Sequence, residues 1–184
     1  MTERESREGT RVWDAFQAHL GPSPWEHPLT VMALPSIVLF LEAANSYDAG
    51  LGIGTSVLCR AALESAFYGV LYRRRMARDT WLPQPPLTQN GEVRKVYFKE
   101  IKDAITKKPI LDEKQIKAWE RINIHGNEAS HFAARLDRAL FGRDSKNRNW
   151  FEPGEVLQDL EDTSDILKRL ADYVRDDAPP NHMR

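Results

Sequence analysis

The chain has 184 residues, a length that suits one domain with a sizeable core. Its 26 basic and 27 acidic side chains leave a formal net charge of −1, which excludes the global basic field of a protein that wraps long nucleic acid. Any nucleic-acid contact is therefore expected to be local. A single cysteine, Cys59, excludes an intramolecular disulfide, and its apolar neighbours Val57, Leu58, Ala61 and Ala62 suit a buried thiol of the reducing cytosol. The charged opening Met1 to Glu8 has no apolar block behind it, which argues against a signal peptide. No stretch is read as reaching bilayer length, so a cytoplasmic location away from any membrane is expected.

In chain order, Trp13, Phe16 and Leu20 recur at helical spacing before Gly21-Pro22, predicting a first helix from about Arg7 to Leu20. Pro22, Pro24 and Pro28 then predict a loop. From Pro35 an apolar run with Ile37, Val38, Leu41 and Ala44 predicts a second helix, closed by a turn at Asp48-Ala49-Gly50. Between Thr55 and Tyr72 apolar residues occupy nearly every face, the pattern of a helix surrounded by others. Its charged exceptions are Arg60 and Glu64. The arginines at 73, 74, 75 and 78 read as a solvated helix end complementing the dipole, or as a phosphate site. The proline-containing segment from Leu82 reads as a flexible loop.

Val93, Val96, Tyr97, Ile101 and Ala104 mark a further amphipathic helix. Asp112 and Gln115 resemble a capping box opening the next, whose buried face is Ile116, Trp119 and Ile122 up to a break at His125-Gly126-Asn127. Ala129, Ala133, Leu136 and Leu140 continue an apolar stripe. The connection containing Arg143, Lys146, Arg148, Trp150 and Phe151 is either a polar loop anchored by two hydrophobic residues or a basic-aromatic strip for single-stranded nucleic acid. Pro153 suits a first helical position, and Leu157, Leu160, Ser164, Leu167, Ala171 and Val174 give the last helix its stripe. The organisation expected is an N-terminal helix and loop over 1–34, a helical bundle over 35–175 and a tail over 176–184. The fold class is all-α, with no alternation long enough for a sheet.

Polar chemistry concentrates between Arg121 and His131. On one reading Gly126 ends a helix in a left-handed conformation and Asn127 caps the next. On the other, the free N–H groups of a helix starting at Asn127 favour a phosphate, His131 serves as general base or acid, and Arg121 or Arg60 stabilises developing charge. Arg60 and Glu64, one turn apart in an apolar segment, read as an internal ion pair or as ligand contacts. His125 and His131 are six apart, off the spacing of a helical metal pair, so no metal site is expected. Nothing suggests a Rossmann nucleotide loop or a nucleophile elbow.

The run Leu41-Glu-Ala-Ala-Asn-Ser-Tyr47, then Arg60-Ala-Ala-Leu-Glu64, then Gly126-Asn-Glu-Ala-Ser-His131, followed by an acidic amphipathic helix, resembles the HEPN superfamily, in particular a bacterial branch marked by Arg-x-x-Leu-Glu and Gly-Asn-x-x-x-His. The resemblance covers about residues 36 to 175. It implies an antiparallel helical bundle paired as a homodimer, with no cofactor. Catalytic members are metal-independent ribonucleases of defence and toxin systems that use an arginine and a histidine to promote attack by the ribose 2′-hydroxyl. By position His131 matches that histidine and Asn127 the polar residue, whereas Gly126 stands where the arginine belongs. Arg121 lies further from His131 than the motif allows, and His125 is a candidate substitute. Members lacking the arginine are taken as binding or assembly modules. The resemblance therefore implies an RNA- or nucleotide-binding accessory domain of stress or phage defence, with an endoribonuclease using His131 and Arg121, or a structural dimerisation or protein-interaction domain, as alternatives. The candidate ligand contacts are Asn127, His125, Arg60 and Glu64.

Overall fold

The computed structural model describes residues 7–75, 81–83, 86–108, 110–131 and 153–176. Among these the fold is all-α, as predicted, with one short ribbon. Helix α1 (Glu8–Leu20) buries Val12, Trp13, Phe16 and Leu20. The first N–H groups of a helix have no partner within it. Here the Asp48 carboxylate accepts from the N–H of Gly9 at 2.7 Å and of Thr10 at 2.9 Å, tying the start of α1 to the end of α2 (Pro28–Asp48).

Helix α2 starts at Pro28, not at Pro35, so the division expected after residue 34 falls inside a helix. Pro28 occupies the first turn, where its missing N–H costs nothing, and His27 caps it by accepting the Leu29 N–H on Nδ1 at 3.1 Å. Pro35 is accommodated because the helix is already kinked at Ala33, with φ −138° and ψ 42°. Helix α2 is also long and apolar enough, by length and composition, to cross a membrane, with a mean hydropathy of 1.5. That departs from the sequence reading, in which Pro35 divided the segment. Half of that stretch is buried within the fold, where Phe40 meets Phe16 edge-on at 5.3 Å and Trp13 at 6.0 Å.

Helix α3 (Gly52–Leu71) packs against α2, α5 (Glu113–Ser130) and α6 (Pro153–Asp176), which is why its sequence is apolar on nearly every face. Its small residues set the spacing. A Cβ on Gly69 would lie 2.8 Å from both Ala33 Cβ and the Met32 carbonyl oxygen of α2. Cys59 is fully buried, and burial pushes its thiol up to about 12, so it is packing and not a nucleophile.

After α3 the arginines do not continue a helix. Strand β1 (Arg73–Arg75) pairs antiparallel with β2 (Trp81–Pro83), with Arg73 opposite Pro83 and Arg75 opposite Trp81. A second turn follows: the Arg94 N–H reaches the Pro86 carbonyl at 2.8 Å and Gly91 takes φ 80°. That pairing, with the bridge from Leu87 to Val93 and an extended Tyr97, keeps residues 93–97 out of the helix, so α4 (Phe98–Lys107) begins later than the apolar spacing predicts. Its buried residues, Ile101 and Ile105, remain those of a helical stripe. Helix α5 opens on the expected capping box, with Gln115 N–H to Asp112 Oδ1 at 2.8 Å and Asp112 N–H to Gln115 Oε1 at 3.2 Å. Helix α6 packs against α1, α2, α3 and α5. The predicted stripe from Ala133 to Leu140, the basic-aromatic connection from Arg143 to Phe151, Arg78 and the tail after Asp176 lie outside the described residues.

The His27 cap gives α2 a pH dependence. Burial, reinforced by the positive charge of Arg175, lowers the His27 pKa from 6.5 to about 4. The folded chain thus favours neutral imidazole, and the stability this confers is complete above pH 6.5 and lost as pH falls towards 4. His27→Asn, which keeps a capping side chain but cannot titrate, is expected to flatten that part of the Tm–pH profile, measured by thermal denaturation.

Candidate functional site

Helix α5 runs unbroken through Gly126 and Asn127 to Ser130, with His131 as its C-terminal cap. The junction predicted there does not exist, and neither does an anion site made of N–H groups at Asn127. Gly126 serves a different purpose. A Cβ at this position would stand 2.5 Å from Arg60 Cβ, 2.7 Å from Arg60 Cδ and 3.0 Å from the Ser56 carbonyl oxygen. Glycine is what lets α3 and α5 cross this closely, with the aliphatic stem of Arg60 lying over the α5 backbone.

Beside that crossing opens a cleft of about 740 Å³, within the usual range of small-molecule sites. Helix α3 contributes Arg60, Glu64, Ser65 and Tyr68, helix α5 contributes Asn123 and Asn127, and the opposite wall is the segment from Val93 to Tyr97 with Phe98 and Ile101. Arg60 Nε donates to Glu64 Oε1 at 2.9 Å, so the predicted pair forms, though half-buried and at the rim of a cleft, not sealed in the core. On the opposite wall Arg94 holds Glu100 through two hydrogen bonds of 2.9 and 2.5 Å, and Lys95 Nζ lies 5.6 Å from the Tyr97 ring centroid. Arg60 is paired with Glu64 and Arg94 with Glu100, so of the three lining cations Lys95 alone has no carboxylate partner among the described residues, and it is the one that favours an anion. The buried Oδ1 of Asn123 accepts no hydrogen bond.

The other candidate residues point elsewhere. Positions 121 and 125 lie on the side of α5 away from 123 and 127, because two residues turn a helix by about 200°. Arg121 Nε donates to Asp159 Oδ1 at 3.0 Å and Arg121 Nη2 to Asp162 Oδ2 at 2.6 Å, while His125 Nδ1 lies 2.6 Å from Asp159 Oδ2. The Asp159 side chain is 1% exposed. A carboxylate so deeply buried needs its charge matched, and this cluster supplies the match while locking α5 to α6. His131 is exposed at the helix end and about 15 Å along the axis from Arg121, so the proposed catalytic pair is not assembled within one chain. Asn127, Arg60 and Glu64 do share the cleft, whereas His125 does not line it. Among the described residues no group of three histidine, cysteine or acidic side chains is placed to hold a metal ion.

Sequence reading missed Asn123, Tyr68 and the Val93–Phe98 wall. The available signal was the ladder Arg60, Glu64, Tyr68 at intervals of four beside Asn123 and Asn127, also four apart. Asp159 was missed as well, although with Thr163, Ile166 and Leu170 it forms a second buried row on α6.

Two outcomes follow. Gly126→Ala is expected to cost about 1–3 kcal/mol in denaturant unfolding, because the new Cβ meets Arg60 Cβ and the Ser56 backbone, which cannot yield as a flexible side-chain tip can. The hydrogen bond from His125 to Asp159 raises the His125 pKa above 6.5. Its stabilising contribution is thus complete below pH 6.5 and is lost as pH rises through the raised value. His125→Gln should flatten the Tm–pH profile on that alkaline side. Comparison with protein-family models, with curated proteins and with solved structures finds no match to the chain, so the reading of the cleft rests on its own residues.

Proposed function

We propose that this chain is a HEPN-like accessory domain that binds a nucleotide, free or within unpaired RNA, in the cleft between α3, α5 and the Val93–Phe98 wall, and does not cleave it. The observation that carries the reading is the lining: aromatic rings of Tyr68, Tyr97 and Phe98, amides of Asn123 and Asn127, and cations at Arg60, Arg94 and Lys95 around one opening. Aromatic faces suit bases, amides suit base edges, and cations suit phosphate. Absence of cleavage is supported by the place of the catalytic arginine, which Gly126 fills and where any Cβ collides with Arg60. Pairing into a homodimer, as the resemblance implies, belongs to this proposal.

The test is a titration of fluorescent single-stranded hexaribonucleotides in excess chelator at several salt concentrations, with mapping of any new ends. Binding should weaken with salt, with a log–log slope of about −1.4 to −2.1 for two or three phosphate contacts, and Lys95→Glu should abolish it. Intact RNA is expected from wild type and His131→Ala alike. Salt-independent or absent binding overturns the reading. Cleavage by wild type alone, leaving 2′,3′-cyclic phosphate, makes the chain a ribonuclease instead.

A further inference from the structure

Resting on that reading, we infer that Asn123 is the base-reading residue of the cleft and that the base it selects is adenine. Asn123 lines the cleft, yet its Oδ1 is buried and accepts no hydrogen bond, an arrangement that native proteins seldom retain. Having no hydrogen bond on Oδ1 to break, the side chain gives up none there when it rotates to present its amide to an occupant. An occupant that supplies an N–H there recovers what the free protein lacks, and one without it does not. Sites of this kind discriminate strongly against analogues lacking the donor.

The amide then decides the base. It offers one acceptor and one donor side by side, and its complement is an edge with an N–H next to an acceptor. Adenine has that pattern on both free edges, through its 6-amino group beside N1 or N7. Guanine offers two adjacent acceptors, O6 and N7, on one edge; on the other it can present O6 beside N1–H, but its 2-amino group is then left without the carboxylate that would suit it, because Glu64 is already held by Arg60. Cytosine carries the same pair, its 4-amino group beside N3, but on a single ring that exposes a smaller face to the aromatic wall. With the base edge against α5 and its ring towards Tyr97, the phosphate falls towards Lys95, which is exposed on the opposite wall. Base and phosphate ends thus meet matching chemistry in one orientation.

The decisive probe is adenosine 5′-monophosphate against purine riboside 5′-monophosphate, which keeps ring, ribose and phosphate and lacks only the amino group. Calorimetric titration of the full chain should show the adenosine nucleotide binding about tenfold tighter or more, with guanosine, cytidine and uridine monophosphates weaker. In Asn123→Leu the advantage over purine riboside monophosphate should collapse to within about threefold. Because the buried Oδ1 contributes no hydrogen bond to the fold, Asn123→Leu should keep or raise Tm. Should that variant fail to fold, the wild-type comparison of the two purine nucleotides decides alone. Equal affinity for them, or preference for another base, overturns the assignment and leaves the cleft reading intact. Failure of every mononucleotide to bind also overturns it, and the hexaribonucleotide titration then decides separately on the cleft.

Discussion

The close crossing of α3 and α5 is the constraint on which the rest of the molecule depends. Helix α3 touches α2, α5 and α6, so its distance from each neighbour fixes where the others can lie. At Gly126 the backbone of α5 comes within reach of the Arg60 stem, and at Gly69 the backbone of α3 comes within reach of Ala33 and Met32. Interiors are packed like crystals, so a methyl group inserted at either contact has to be absorbed by moving whole helices. The same approach that closes the core lays Arg60 across α5 and leaves its guanidinium, with Glu64 and Tyr68 further along, at the edge of a cleft.

Helix α5 carries two unlike polar faces from one short sequence. One, through Arg121 and His125, meets the buried carboxylate of Asp159 and is spent on holding two helices together. The other, through Asn123 and Asn127, is left facing a partly open space lined by charge and aromatic rings. The division follows from helical geometry alone, since residues two apart look in opposite directions. A polar cluster compact in sequence is therefore two clusters in space, with different duties.

Much of the architecture is legible in the amino-acid pattern. The stripes Trp13-Phe16-Leu20 and Leu160-Ser164-Leu167-Ala171 mark helices at both ends, and the apolar band around Cys59 identifies the central one. Asp112 with Gln115 locates a helix start from two residues. The expectations that fail do so for identifiable reasons. Pro35 reads as a boundary, but a kink at Ala33 lets α2 pass it. Gly126 reads as a break because glycine looks the same in sequence whether it turns the chain or makes room for a neighbour. Val93, Val96 and Tyr97 keep helical spacing, yet the turn at Asn90-Gly91 and the bridge from Leu87 to Val93 keep that backbone out of the helix. Half of the candidate site is visible in Arg60, Glu64 and Asn127. The remainder, above all Asn123, emerges only once the two faces of α5 can be told apart.

The position of α6 in this arrangement has a consequence for how the chain is made. Helix α6 covers α1, α2 and α3 together, and it is the last described helix to leave the ribosome. Until then the apolar flanks of α2, the segment hydropathic enough to pass for a membrane span, lack one of their covering walls. The growing chain therefore holds an incompletely covered apolar helix until α6 has been made. Packing of the described helices is completed only after residue 176 has been added, and α1, α2, α3 and α5 await their shared cover until then.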